Sequence, residues 1–200
     1  LLTPDVLSLA LQWQRLASRT GGRTEREQAE RLLGRVADNT SARAHDHFMS
    51  GMIFDQLGAA SQAKDAYRRA LESDAGLQDA RNNLAVLESD DGDWQDAVAL
   101  ARQAVAAAPS NVEYLDTLAG ALVKGKRYDD AIEHLRRARD LQPESPRWRV
   151  VLAETLLLAG RTDDARREAK DAAERIQRAP RGDTRWADRL AAVESRLDGK

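Results

Sequence analysis

The sequence contains no cysteine, which excludes disulfide staples, thiol nucleophiles and cysteine-held zinc. Aromatic residues make up only 4% of it, and an apolar share leaning on Ala, Leu and Val favours helices over a β-sandwich, which wants aromatic and β-branched side chains. Neither sign of charge dominates, since 31 basic and 33 acidic residues leave a formal net charge of −2. A nucleic-acid surface needs a basic excess, so no nucleic-acid partner is expected. No apolar run reaches the roughly 18 residues that span a bilayer. The longest, at 150–153 and 156–159, are interrupted by Glu154, and membrane insertion is not expected. The opening Leu1-Leu2-Thr3-Pro4 has neither an initiator Met nor the basic-then-apolar pattern of a signal peptide. The expectation is a soluble stretch of a longer polypeptide, with cytoplasm and periplasm both open. The Ala- and Arg-rich composition points to a GC-rich bacterial genome.

What the chain does have is a period. Ser61-Gln62-Ala63, Gln95-Asp96-Ala97, Asp129-Asp130-Ala131 and Asp163-Asp164-Ala165 recur in one phase, their alanines 34 residues apart. Seven residues beyond each stands another alanine: Ala70, Ala104, Ala138 and Ala172. Five residues before three of them stands a glycine (Gly58, Gly92, Gly160), and Gly125 is displaced by one. Features that hold phase through four periods mark a repeat array. Two antiparallel helices joined by a tight turn need a residue that tolerates positive φ, which accounts for the glycines. Alanines seven apart share one face of the second helix and let neighbours approach closely. On the first helix, Leu84-Ala85, Leu118-Ala119 and Leu152-Ala153 form apolar pairs, with Phe54, Leu122 and Leu156 as bulkier companions. A unit this short cannot bury its own apolar face, so stacking must supply the core.

The pattern resembles the tetratricopeptide repeat family. Its slots are filled by Ser50-Gly51, Phe54, Ala63, Tyr67 and Ala70 in one unit. Leu118-Ala119, Leu122, Ala131, Leu135, Ala138 and Pro143 fill them in another, and Pro109 closes the unit between. The resemblance implies an all-α fold, a right-handed superhelical solenoid of antiparallel helix pairs. Units are expected at 44–77, 78–111, 112–145 and 146–179, after a degenerate helix pair within 1–43 and before a capping helix within 180–200. Two residues depart from the pattern: Glu88 and Arg139 stand in slots that are usually apolar. Trp94 is expected to cover the gap at Glu88.

At the amino end, Thr3 reads as an N-cap with Pro4 at the first helical position, and Thr24-Glu25-Arg26-Glu27 as a capping box. Val6, Leu7, Leu9, Ala10, Leu11 and Trp13 make the first helix apolar nearly all round. Such a helix needs a cover, either upstream chain or a second copy, so self-association through it is one expected partner mode. At the other end, Asp183 or Thr184 starts a helix with Trp186, Leu190, Val193 and Leu197 inward and Asp188, Arg189, Glu194 and Arg196 outward.

Chemistry-bearing motifs are few. The run from Gly120 to Arg127 has phosphate-loop spacing but Arg127 where the hydroxyl should be, and no strand precedes it. His45-Asp46-His47 points to different helix faces and reads as partly exposed histidines at a helix start. Asp90-Asp91-Gly92-Asp93 lacks the ligand alternation of a calcium loop. Three tryptophans sit where packing wants them, whereas Trp148 is a candidate border of a binding surface. No catalytic residues, metal site or cofactor are expected, and the chain does not read as an enzyme.

The family resemblance implies that first helices line a concave groove that receives an extended peptide or a helix. By position, His45, Phe48, Met52 and Asp55 face it, then Asp79, Asn82, Val86 and Ser89. Glu113, Asp116, Gly120 and Val123 follow, and finally Arg147, Val150, Glu154 and Leu157. The segment 78–111 is net −4 and 146–179 net +2. The fitting partner is another protein with apolar anchors and basic character. Members of the family that clamp a terminal carboxylate do so with Lys and Asn or Arg. Asn83 occupies one such slot, but Phe48, Met52, Glu113 and Thr117 fill the others, so capture of a chaperone tail is not expected. The leading expectation is a scaffold or adaptor. A regulatory or targeting segment of a larger enzyme or secretion-type assembly is the alternative, with self-association through the first helix a third.

Overall fold

The computed structural model describes residues 3–39, 41–178 and 185–199. Eleven α-helices and no strand occur among them: α1 Thr3–Thr20, α2 Arg23–Ala37, α3 Ala44–Gln56, α4 Ala60–Ser73, α5 Gln78–Asp91, α6 Trp94–Ala107, α7 Val112–Lys124, α8 Tyr128–Leu141, α9 Pro146–Leu158, α10 Thr162–Arg178 and α11 Arg185–Leu197. The protein is all-α. First helices of the regular pairs begin at Ala44, Gln78, Val112 and Pro146, and second helices at Ala60, Trp94, Tyr128 and Thr162, each series in steps of 34. The start chemistry read at Thr3 and Pro4 rests on side chains outside those described, as does the helix start at Asp183 or Thr184.

The chain divides into two compact units, 1–88 and 89–200, with the division inside α5. In the first, α1 packs on α2, α3 on α4, and α3 also on α1 and α2. In the second, α7 packs on α6 and α8, α9 on α8 and α10, and α11 lies on both α9 and α10. Every alanine of the periodic columns, from Ala63 and Ala70 to Ala165 and Ala172, is fully buried. The first-helix pairs Leu84-Ala85, Leu118-Ala119 and Leu152-Ala153 are buried as well, with Phe54, Leu122 and Leu156.

The turns show why the glycine phase slips once. Ala59 N–H donates to the Phe54 carbonyl at 2.9 Å, Arg127 N–H to Leu122 and Arg161 N–H to Leu156, both at 2.8 Å. Each is the six-to-one closure that ends a helix through one left-handed residue. That residue is Gly58 (φ 69°) in the first turn and Gly160 (φ 74°) in the last, but Lys126 (φ 57°) in the third. Gly125, one position earlier, answers another need: a Cβ there would lie 2.5 Å from the Trp94 ring. Trp94 therefore packs on Gly125, and the expected cover for Glu88 comes from elsewhere. Glu88 is 5% exposed and takes Lys64 at 3.0 Å and Arg68 at 2.6 Å. Arg139 likewise turns its apolar slot ionic, meeting Glu168 at 2.6 Å, which Arg149 approaches at 2.9 Å.

Other expectations need correction. The capping box at Thr24 does not form: α2 starts at Arg23 behind Gly22, with no side-chain cap. Thr20 Oγ1 accepts from the Gly22 N–H at 3.0 Å instead, and the first turn carries the Arg23–Glu27 pair. α1 is not apolar all round in effect, because Val6, Leu7 and Ala10 are buried while Leu9 and Leu16 are 37% and 39% exposed.

Candidate functional site

The residues singled out for partner binding lie on first helices, and each unit presents its own set. In the first unit, Phe48 and Met52 on α3 are half-buried, and Val86 on α5 is 41% exposed. Met52 and Val86 hold the same slot one period apart, so the apolar character repeats. The Phe48 ring lies 6.0 Å from that of Tyr67, which is fully buried behind it. Burial pushes the Tyr67 pKa up to about 12, so the hydroxyl stays protonated. It accepts from Asn83 Nδ2 at 3.3 Å, which ties down the one clamp-like residue of the array. Gly51 makes this geometry possible, since a Cβ on it would meet the Tyr67 ring at 2.5 Å. Asp55 and Asp79 are exposed and already engaged, whereas the Asn82 Oδ1 is buried with no hydrogen-bond partner.

The second unit is more self-contained. Arg147 on α9 reaches Glu113 at 2.8 Å and Asp116 at 2.5 Å on α7, joining three of the singled-out residues in one ionic cluster. The nearby carboxylates hold the Arg147 pKa above its ordinary value against the opposing effect of burial. Glu113 and Arg147 are one period apart, and opposite charges in one slot of successive units are a signal the sequence carried openly. Glu154 is held by Arg189 of α11, which also lies over the Trp186 ring at 5.0 Å. Val150 is fully buried against Trp186, Leu190 and Val193 of that helix. Sequence reasoning placed Val150 and Glu154 on an open face and Arg189 outward, and α11 covers the first two using the third. Val123 remains half-buried on α7.

The minor motifs resolve into structure. Trp148 is fully buried, its Nε1–H donating to Gln142 Oε1 at 2.8 Å, so it borders no binding surface. His47 is buried rather than partly exposed, and Asp46 Oδ2 accepts from the Arg43 N–H at 2.9 Å to cap α3. Gly120 lies inside α7, where no phosphate loop is possible. Asp90 pairs with Lys124 at 2.7 Å. Among the described residues no group of three or more His, Cys, Asp or Glu side chains is placed to hold a metal ion, and no helix is long and apolar enough to cross a membrane.

Serial helix pairs with alanine seams, glycine turns and first-helix side chains turned outward define the class of helical-repeat interaction scaffolds. Family models described as tetratricopeptide repeat match residues 47–76, 77–108 and 122–192, and the chain belongs to that family. Its fold is also that of solved MamA structures. MamA 41-end from Desulfovibrio magneticus RS-1 is 20% identical, with 86% of this chain and 94% of that chain covered and a TM-score of 0.68. MamA of AMB-1 is 23% identical over 88% and 98%, with a TM-score of 0.71, and another MamA protein structure 16% identical over 87% and 93%, with 0.73. At these identities the likeness is one of fold. No curated protein sequence matches the chain.

Proposed function

We propose that the protein is a scaffold that holds a peptide or helix of another protein along the outward faces of its first helices, with no catalytic role for these residues. The observation that carries this reading is the repeated apolar slot of Met52 and Val86, solvent-reaching and flanked by Phe48, on helices whose other faces are packed. The carboxylates Asp55 and Asp79 favour a partner with basic character near its apolar anchors. In the second unit, Glu113, Asp116 and Arg147 satisfy one another, and Glu154 closes on the end helix. Val123 is the side chain there that most resembles an anchor.

A random peptide library selected on the purified chain tests this reading. Selected peptides are expected to carry apolar and basic residues, and to lose binding on Phe48→Ala with Met52→Ala while the chain keeps its helical content. Retention of binding by that variant would move the site to another face. A second reading, self-association through α1, is favoured by Leu9, Trp13 and Leu16 along one stripe. Sedimentation of wild type against Leu9→Glu with Leu16→Glu decides it, a monomer in both cases ruling it out. Leu7, being buried, is unsuitable for that comparison.

A further inference from the structure

The first unit holds a pocket of about 180 Å³ bounded by α2, α3 and α4, on a different face of α3 from Phe48 and Met52. Leu33 and Ala37 of α2, Phe54 of α3 and Ala66 of α4 supply apolar walls, with buried His47 and exposed Arg69 among its polar lining. One period later, the corresponding slots within the first unit carry an ion cluster instead. Glu88 holds the slot of Phe54, Lys64 that of Glu30 and Arg68 that of Gly34, each 34 residues on. There Lys64 and Arg68 close on the Glu88 carboxylate at 3.0 and 2.6 Å. At the earlier place the carboxylate is replaced by an aromatic ring and the arginine by glycine. Glu30 is turned to Arg26 at 3.1 Å. A Cβ on Gly34 would meet nothing within 4 Å, so packing does not require this helix-weakening residue. Its effect is to leave the pocket open.

The rim carries both signs, with the Asp65 carboxylate and the Arg69 guanidinium lining it and Glu72 acting on the neighbouring His47. Arg69 donates from Nη1 to the Ala37 carbonyl at 2.6 Å, which fixes its guanidinium beside the opening. Asp65, also at the rim, pairs with Arg68 at 3.2 Å, and no carboxylate among the described residues lies within ion-pair distance of Arg69. A cavity of roughly 150 Å³ accommodates a benzene ring. We infer that this pocket binds a small aromatic carboxylate, the ring seated on Phe54 between Leu33 and Ala66 and the carboxylate on Arg69. The site is independent of the protein-holding face and does not rest on it.

The test is a titration of the isotope-labelled full chain with phenylacetate, with phenylacetamide as its neutral counterpart, followed by backbone amide shifts. Phenylacetate is expected to move amides of α2, α3 and α4 around the pocket, with a Kd of about a millimolar for so small a ligand. Gly34→Leu and, separately, Ala37→Leu fill the space and abolish those shifts. If either lowers the thermal midpoint, the other carries the comparison. Arg69→Gln weakens phenylacetate about tenfold and leaves phenylacetamide unchanged. Absence of localised shifts with phenylacetate in large excess overturns the site, as does binding that survives both fillings. Equal affinity for acid and amide overturns the role of Arg69.

Discussion

Two glycines of identical chemistry have opposite meanings in this chain. Gly51 lets the buried Tyr67 ring approach α3, and a Cβ there would intrude to 2.5 Å, whereas at Gly120 it would meet nothing within 4 Å. Gly51→Ala is therefore expected to lower stability by about 2 kcal/mol through forced repacking. Gly120→Ala is expected to raise it by up to about 1 kcal/mol through helix propensity. Thermal or urea unfolding reads both, and equal effects would contradict the Tyr67 packing. The repeat phase was legible because it rests on alanine columns. Glu88 and Arg139 were visible only as misfits, since Lys64 and Arg68, which satisfy the first, and Glu168, which satisfies the second, lie 20 to 29 positions away.

His47 gives a second test at this scale. Burial holds its pKa below the ordinary 6.5, and Arg69 deepens the shift against the opposing Asp46 and Glu72. The folded chain then binds this proton less readily than the unfolded chain. The associated stability is fully present above about pH 6.5 and is lost as pH falls through the depressed folded value. His134, also lowered by burial, adds to the same trend. Urea midpoints are expected to drop between about pH 7 and pH 5, and His47→Gln to flatten part of that slope. Asp46 acts at lower pH, because hydrogen bonds from Arg43 hold its carboxyl below 3.8 despite desolvation.

At the scale of elements, the least legible feature was the reach of α11. Trp186, Leu190 and Val193 marked an amphipathic helix in the sequence, and its inward face was read correctly. Its seat on Val150 and Ala153 of α9, as well as Ala169 and Ala172 of α10, was not, because slot counting assumes an uncovered first helix. Trp186→Ala is expected to destabilise the second unit by about 3 kcal/mol, the range for truncating a buried aromatic. Arg189→Ala, at a half-exposed ion pair, is expected to cost under about 1 kcal/mol. Fluorescence or circular dichroism melts separate the two. The amino-terminal pair shows the converse: α2 begins at Arg23, three residues ahead of the phase that Ala60 sets, and its capping signal misled for that reason.

On the scale of the whole molecule, membership of the tetratricopeptide repeat family fixes the architecture, and two compact units, 1–88 and 89–200, build it. Composition had disfavoured a β-sandwich and excluded thiol chemistry, no apolar run was long enough to span a bilayer, and the period supplied the rest of the fold. The proposed binding face was less legible. Phe48, Met52 and Val86 stay turned outward in the first unit, whereas the second has already paired most of its charged positions. Which chemistry meets the outward set is decided most directly by site-specific photo-crosslinking of the chain in cells of its source organism. A photoreactive residue would replace Met52 or Val86 on first helices, or Arg102 on the exposed face of α6 as the control. Crosslinks from Met52 and Val86 to another protein, with none from Arg102, are the predicted result. Crosslinks from Arg102 alone would contradict the account.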